Sequence, residues 1–228
     1  MASIEAKLQE VRKRIVRACT ASARPVQSVT LLAVSKTFGA AAVREAFAAG
    51  QRAFGENYVQ EALAKLEALA DLRPAIEWHL IGPLQSNKTR EVAAAFDWVH
   101  TVDRLKIAER LSAQRPNGLT PLQVCLQVNV SGEASKSGVA PAALPALARA
   151  VAALPRLALR GLMSVPEPSD DVAAQRASHR CLRELLDTLR ADGLALDTLS
   201  MGMSADLEAA ITEGSTLVRV GTAIFGER

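Results

Sequence analysis

The chain has 228 residues, 49% of them hydrophobic and 22% charged, with a formal net charge of +3, which is the composition of an ordinary soluble globular protein with a sizeable core. That charge is too small and too dispersed for nucleic-acid binding, and its densest basic cluster, Arg12-Lys13-Arg14, reads as a solvated helix face. Cys19, Cys125 and Cys181 lie far apart, and only three histidines accompany them, so no zinc spacing is recognisable; no stretch is long and apolar enough for a membrane span or a signal peptide, and reduced cytoplasmic thiols are expected.

In chain order, Ile4, Leu8, Val11, Ile15 and Cys19 keep the spacing of an amphipathic helix, predicted over residues 1–21. Short apolar runs then alternate with alanine-rich or charged helical stretches. Strand 29–35 leads to helix 40–49, strand 52–57 to helix 58–69, strand 77–82 to helix 86–95 and strand 97–103 to helix 103–114. Strand 122–130 leads to helix 141–153, strand 157–165 to helix 171–191 and strand 197–202 to helix 204–213, before a last strand at 216–221. Eight such units with right-handed crossovers predict an α/β protein, a (β/α)₈ TIM barrel with an extra N-terminal helix; a doubly wound open sheet is the alternative. "PEPSDD" (166–171) reads as a strand-to-helix loop with its own N-cap, so residues 1–228 form a single domain in this reading.

Barrel enzymes place their chemistry at the C-terminal ends of the strands, and unusual polar residues recur there. Lys36 follows strand one at the end of "LLAVSKTFG", Glu56 and Asn57 follow strand two, and Ser164 ends strand six. "SMGMSADLEAA" makes Ser204 a candidate N-cap, and "VGTAIFG" adds Gly221 and Thr222; both loops offer backbone N–H groups to a phosphate where this architecture usually binds one. If Val218 and Val220 face the outer helices, Arg219 turns into the barrel, and the same alternation puts Lys36 on the face of Leu32 and Val34. Two cations and two phosphate-cradling loops then converge on one anionic ligand. The plainer readings are that Arg219 pairs with Glu56, that Lys36 snorkels to the surface, and that His79 is a core histidine. Lys7, Lys13, Lys65, Lys88 and Lys106 read as surface.

With these residues in place, the sequence resembles the pyridoxal phosphate homeostasis protein family, related in fold to the N-terminal domain of alanine racemase. The matching segments are "LLAVSKT", "FGENYVQEALAK", "WHLIGPLQSNK", "VHTVD", "LQVNVSGEASKSG", "LRGLMSVPE" and "LSMGMSADLEAAITEGSTLVRVGTAIFGER", in order from residue 30 to the end. The resemblance implies pyridoxal 5'-phosphate bound as an aldimine on Lys36, with Ser204, Gly221 and Thr222 at its phosphate, Arg219 at its ring nitrogen, and Asn57 and His79 nearby. Lys136 matches a family lysine with a secondary or transfer role, and reads equally well as an exposed loop lysine. No metal is implied.

Burial and a nearby cation would lower the Lys36 pKa and give the neutral amine that attacks an aldehyde, whereas arginine at the ring nitrogen weakens the ring as an electron sink. Racemisation needs a second base, which racemases of this fold take from an additional C-terminal domain, and the chain ends seven residues after Gly221. The expectation is therefore a cytoplasmic, monomeric cofactor carrier without catalytic residues, acting in cofactor homeostasis and supply. It would meet apo-enzymes transiently and bind neither nucleic acid nor membrane. The alternative is a racemase-like enzyme of low activity; a sugar-phosphate aldolase using the lysine without cofactor ranks below both.

Overall fold

The alternation of apolar runs and amphipathic helices closes a parallel barrel in the computed structural model, which describes residues 2–132 and 137–226. The strands are β1 (Thr30–Val34), β2 (Ala53–Glu56), β3 (Glu77–Leu80), β4 (Trp98–Val102), β5 (Leu122–Gln127), β6 (Leu157–Met163), β7 (Thr198–Ser200) and β8 (Leu217–Val220). They pair in sequence order, and β8 returns to β1 in parallel register with Leu32 opposite Arg219, so the open-sheet alternative falls away. Each strand is shorter than its apolar run because the last residues of the run leave the ladder to enter the loops that carry the polar side chains.

An N-terminal helix, α1 (Ile4–Ala21), precedes the barrel; Ser3 accepts the Ala6 amide as its N-cap and Leu8, Val11, Ile15, Ala18 and Cys19 form its buried face. The other helices are α2 (Ala40–Ala48), α3 (Val59–Ala68), α4 (Thr89–Ala95), α5 (Leu105–Gln114), α6 (Leu144–Ala152), α7 (Val172–Ala191), α8 (Leu207–Thr212) and α9 (Thr222–Phe225). Asp171 caps α7 by accepting the Ala173 amide, as the "PEPSDD" loop predicts. The main core lies between strands and helices, where Ala33, Phe54, Trp78, Val99, Val124, Val218 and Val220 meet the inward faces of the helices. Inside the barrel the apolar contacts fall into two small groups, Leu32 with Ala53, Leu217 and Ile81, and Trp98 with Cys125 and Met163.

The basic cluster of α1 is a correction to the sequence reading. Arg12 donates to the Ala49 carbonyl at 3.1 Å, and Arg14 grips Glu208 of α8 through Nε (2.7 Å) and Nη2 (2.8 Å) while Nη2 also donates to the Ser204 carbonyl at 2.9 Å. Only Lys13, paired with Glu10, stays on the solvated face. Basic residues at helical spacing cannot reveal that the opposite surface is another helix of the same chain. Among the described residues no helix is long and apolar enough to cross a membrane.

Candidate functional site

A cavity of about 800 Å³ opens at the C-terminal ends of β1, β2, β7 and β8, within the usual range of roughly 300–1,000 Å³ for small-molecule sites. It is lined by Lys36, Asn57, Tyr58, Ser204, Arg219, Gly221 and Thr222, together with apolar Val34, Phe38, Ile81 and Val165. Six of the seven residues that the sequence reading assigned to a cofactor therefore meet there. The seventh does not: His79 is fully buried deeper in the barrel, its Nδ1 2.9 Å from His100 Nε2 and its Nε2 2.8 Å from Glu77, because two positions from Glu77 along β3 keep both side chains facing inward below the cavity.

Lys36 sits just beyond β1 and is exposed, so the burial invoked for it is absent in this structure. Its neighbours hold it there. Ser35 donates its hydroxyl to Glu56 Oε1 at 2.6 Å and gives its carbonyl to Lys65 Nζ at 2.7 Å, while the Thr37 amide donates to Glu61. Thr37 adopts φ +71°, a region costly for a β-branched residue, which turns the backbone sharply after Lys36. Among the described residues Lys36 itself makes no hydrogen bond or ion pair.

Lys65 and Glu56 are the second correction. Lys65, on α3, is buried and meets both oxygens of Glu56 at 2.8 and 2.9 Å and Glu61 at 2.7 Å. Burial pushes the Glu56 carboxyl above the usual carboxylate range, opposed by hydrogen bonds from Lys65 and Ser35. Glu56 thus points away from the barrel interior and is not the partner of Arg219.

Arg219 enters the barrel as the alternation of β8 requires. Its Nη1 donates to the Ser200 carbonyl at 2.5 Å and hydroxyl at 2.8 Å, and its Nη2 donates to the Ser164 carbonyl at 2.7 Å. It is buried, forms no ion pair among the described residues, and burial pushes its pKa down to about 10. Such a cation at a cavity floor keeps N–H donors available for an acceptor in the cavity.

The loop before α8 is held from three sides. Asp206, the N-cap residue of α8, accepts the Met203 amide at 2.6 Å and meets His179 Nε2 of α7 at 2.9 Å, while Arg14 holds the Ser204 carbonyl. Asp206 therefore takes the position that the sequence reading gave to Ser204, and the Ser204 hydroxyl lines the cavity with no protein partner among the described residues. Thr222, opening α9, is placed the same way. At Gly221 an added Cβ would meet the Val34 carbonyl at 3.2 Å, so this glycine lets the end of β8 close against β1 beside Lys36. At Gly82 an added Cβ would lie 2.1 Å from the Asn57 carbonyl; this close approach seats Asn57, whose buried Oδ1 has no partner.

Among the described residues, the unpartnered hydroxyls of Ser204 and Thr222, an unpaired lysine and a guanidinium without a carboxylate supply donors, and Asn57 Oδ1 an acceptor, suited to a phosphorylated, ring-nitrogen-bearing aldehyde, and pyridoxal 5'-phosphate fits them. The sequence reading missed Lys65, Glu61 and His100. The i, i+4 pair Glu61 and Lys65 was a visible signal for the first two, and nothing in the sequence marked His100. Lys136 lies outside the described residues, and no metal-binding cluster of His, Cys, Asp or Glu occurs among those described.

Comparison with known proteins identifies the family and supports the fold. Residues 6–228 match the family described as alanine racemase, N-terminal domain. The chain is 64% identical to the pyridoxal phosphate homeostasis protein of Pseudomonas aeruginosa PAO1, covering 100% of this chain and 97% of that one, and 53% identical to the protein of the same name from Escherichia coli K12, covering 100% and 98%. The PipY protein of Synechococcus elongatus PCC7942, solved with PLP bound, superposes with a TM-score of 0.86 at 42% identity over 98% of this chain and 100% of that one. The chain belongs to the pyridoxal phosphate homeostasis protein family, within the wider alanine racemase N-terminal domain fold.

Proposed function

We propose that this member of the family holds pyridoxal 5'-phosphate as a Schiff base on Lys36 and serves intracellular cofactor homeostasis and supply rather than robust catalysis. The observation that carries the reading is the convergence, in one cavity, of a lysine and a buried arginine that have no carboxylate partner among the described residues. When bound, the cofactor supplies an electrophilic aldehyde. Lys36, held out by pinned neighbours, presents its amine at the cavity mouth. Ser204 and Thr222 offer hydroxyl donors for a phosphate, and Asn57 offers its unpartnered Oδ1 as an acceptor. Arg219 can only donate, so it favours an unprotonated ring nitrogen and opposes the electron withdrawal that carbanion chemistry needs. In this reading the barrel is a monomeric cytoplasmic carrier that exchanges cofactor with apo-enzymes and touches neither nucleic acid nor membrane.

The test is the absorbance spectrum of protein incubated with pyridoxal 5'-phosphate, before and after borohydride, followed by peptide mapping. A visible band that reduction fixes onto Lys36 supports the reading; a protein that stays colourless overturns it. One observation favours the low-activity racemase-like alternative: Tyr58, the residue preceding α3, is exposed in the same cavity and offers a second acid-base group. Exchange of the α-hydrogen of an amino acid in D₂O beyond that given by free cofactor, and lost on Tyr58→Phe, would establish that alternative.

A further inference from the structure

The barrel interior between its two small apolar groups is crossed by polar side chains that do not line the cavity. Glu77, half-exposed at the start of β3, lies 2.8 Å from His79 Nε2; His79 Nδ1 lies 2.9 Å from His100 Nε2; His100 Nδ1 lies 2.8 Å from Ser200 Oγ, which accepts Arg219 Nη1 at 2.8 Å. The chain runs from the N-terminal end of the strands to the cavity floor.

Its two ends fix its direction. A guanidinium only donates and a carboxylate only accepts. Ser200 Oγ takes the Arg219 hydrogen, so its own hydrogen goes to the one remaining neighbour among the described residues, His100 Nδ1. His100 then donates from Nε2 to His79 Nδ1, and His79 donates from Nε2 to Glu77. Any other arrangement strands a hydroxyl hydrogen or sets two hydrogens against each other in a fully buried place. The rings cannot turn to escape: His79 stacks on Trp98 with centroids 5.3 Å apart, and the edge of His100 meets it at 5.1 Å.

We propose that Glu77, His79, His100 and Ser200 form a one-way hydrogen-bonded chain that positions the Arg219 guanidinium at the cavity floor, making Glu77 and both histidines positioning residues for the cation. The functional half rests on the reading that Arg219 meets the cofactor ring. Burial, with the Arg219 guanidinium beside it, drives the His100 pKa well below the usual histidine range, which keeps the central link neutral. The hydrogen bond from His79 lowers the Glu77 carboxyl despite its partial burial, which keeps the terminal acceptor ionised; Arg160, 5.3 Å above the Trp98 ring and held by Asp197, is the other charge facing this end.

The experiment is long-range ¹H–¹⁵N correlation on ligand-free protein labelled at its three histidines, assigned with His79→Gln and His100→Gln, alongside a titration with pyridoxal 5'-phosphate. Each of His79 and His100 is expected to carry a hydrogen on Nε2 and to accept at Nδ1. Glu77→Ala is expected to move the His100 signals as well as those of His79 and to weaken cofactor binding about tenfold, the loss of one hydrogen bond to a charged group; Glu77→Gln, still an acceptor, keeps the Nε2–H signals and restores most of the binding. A hydrogen on Nδ1 of either ring, an imidazolium at neutral pH, or Glu77→Ala without effect at His100 overturns the chain. Should Glu77→Ala fail to fold, the wild-type and Glu77→Gln spectra still decide its direction. Wild-type protein that binds no cofactor refutes the function proposed above and leaves the tautomer result to judge the chain.

Discussion

Two cations, Lys65 and Arg219, are equally withdrawn from solvent, at 5% and 4% exposure, and are satisfied in opposite ways. Lys65, outside the barrel under α3, meets two carboxylates and a carbonyl, which saturates its three hydrogens. Arg219, inside the barrel, meets only the neutral oxygens of Ser200 and Ser164 among the described residues. The difference separates a charge that holds the fold from a charge held in reserve. Lys65 spends its bonds fixing Ser35 and Glu56 behind Lys36, whereas Arg219 keeps donors for something the chain does not supply.

The contrast can be broken most severely at the saturated site. Glu56→Ala should cost about 2–4 kcal/mol, because it leaves the buried ammonium with Glu61 as its one carboxylate among the described residues and takes the acceptor from the Ser35 hydroxyl, and the double change Glu56→Leu with Lys65→Met should cost far less. Equal denaturation midpoints for the single and double variants would remove the ion pair from the explanation. Next comes the loop that carries Ser204, where Asp206→Asn should cost about 1–3 kcal/mol near neutral pH. Although burial would raise the Asp206 carboxyl, hydrogen bonds from His179 and the Met203 amide hold it below the usual range. The folded protein therefore binds that proton less readily than the unfolded chain. The contribution is fully present above about pH 4 and is lost as pH falls through the lowered value, so the gap between the two proteins should close on acidification.

At the unsaturated site the sign changes. Arg219→Met should leave the ligand-free barrel within about 1 kcal/mol of wild type or stabilise it, since a desolvated charge is removed, while affinity for added pyridoxal 5'-phosphate falls about ten- to hundredfold. A large loss of stability would mean that Arg219 is structural like Lys65. The smallest effect on folding belongs to Lys36→Ala, within about 0.5 kcal/mol, accompanied by complete loss of borohydride-fixed colour.

The barrel was legible because its signals are local and repeated: every apolar run became a strand and every amphipathic stretch became a helix. Arg219 was legible for the same reason, since period-2 alternation in "LVRVG" leaves it no outward direction. Lys65 was misjudged because a lysine in a charged helix looks solvated until the end of β2 is known to lie beneath it. Lys36 was expected to be buried because the apolar run before it continues to Val34, yet the turn at Thr37 lifts it out. His100 carries no periodic sign of its role, which depends on Ser200, a hundred residues away and meeting it only after closure.

The bond from Arg14 to the Ser204 carbonyl has a practical meaning for anyone shortening or grafting this chain. A version starting near residue 25 would retain every strand, and a scaffold chosen by strand count alone would appear intact. It would lack the clasp on the loop that presents Ser204, so ligand retention should fail before the barrel does, and the leading helix belongs in any minimal design.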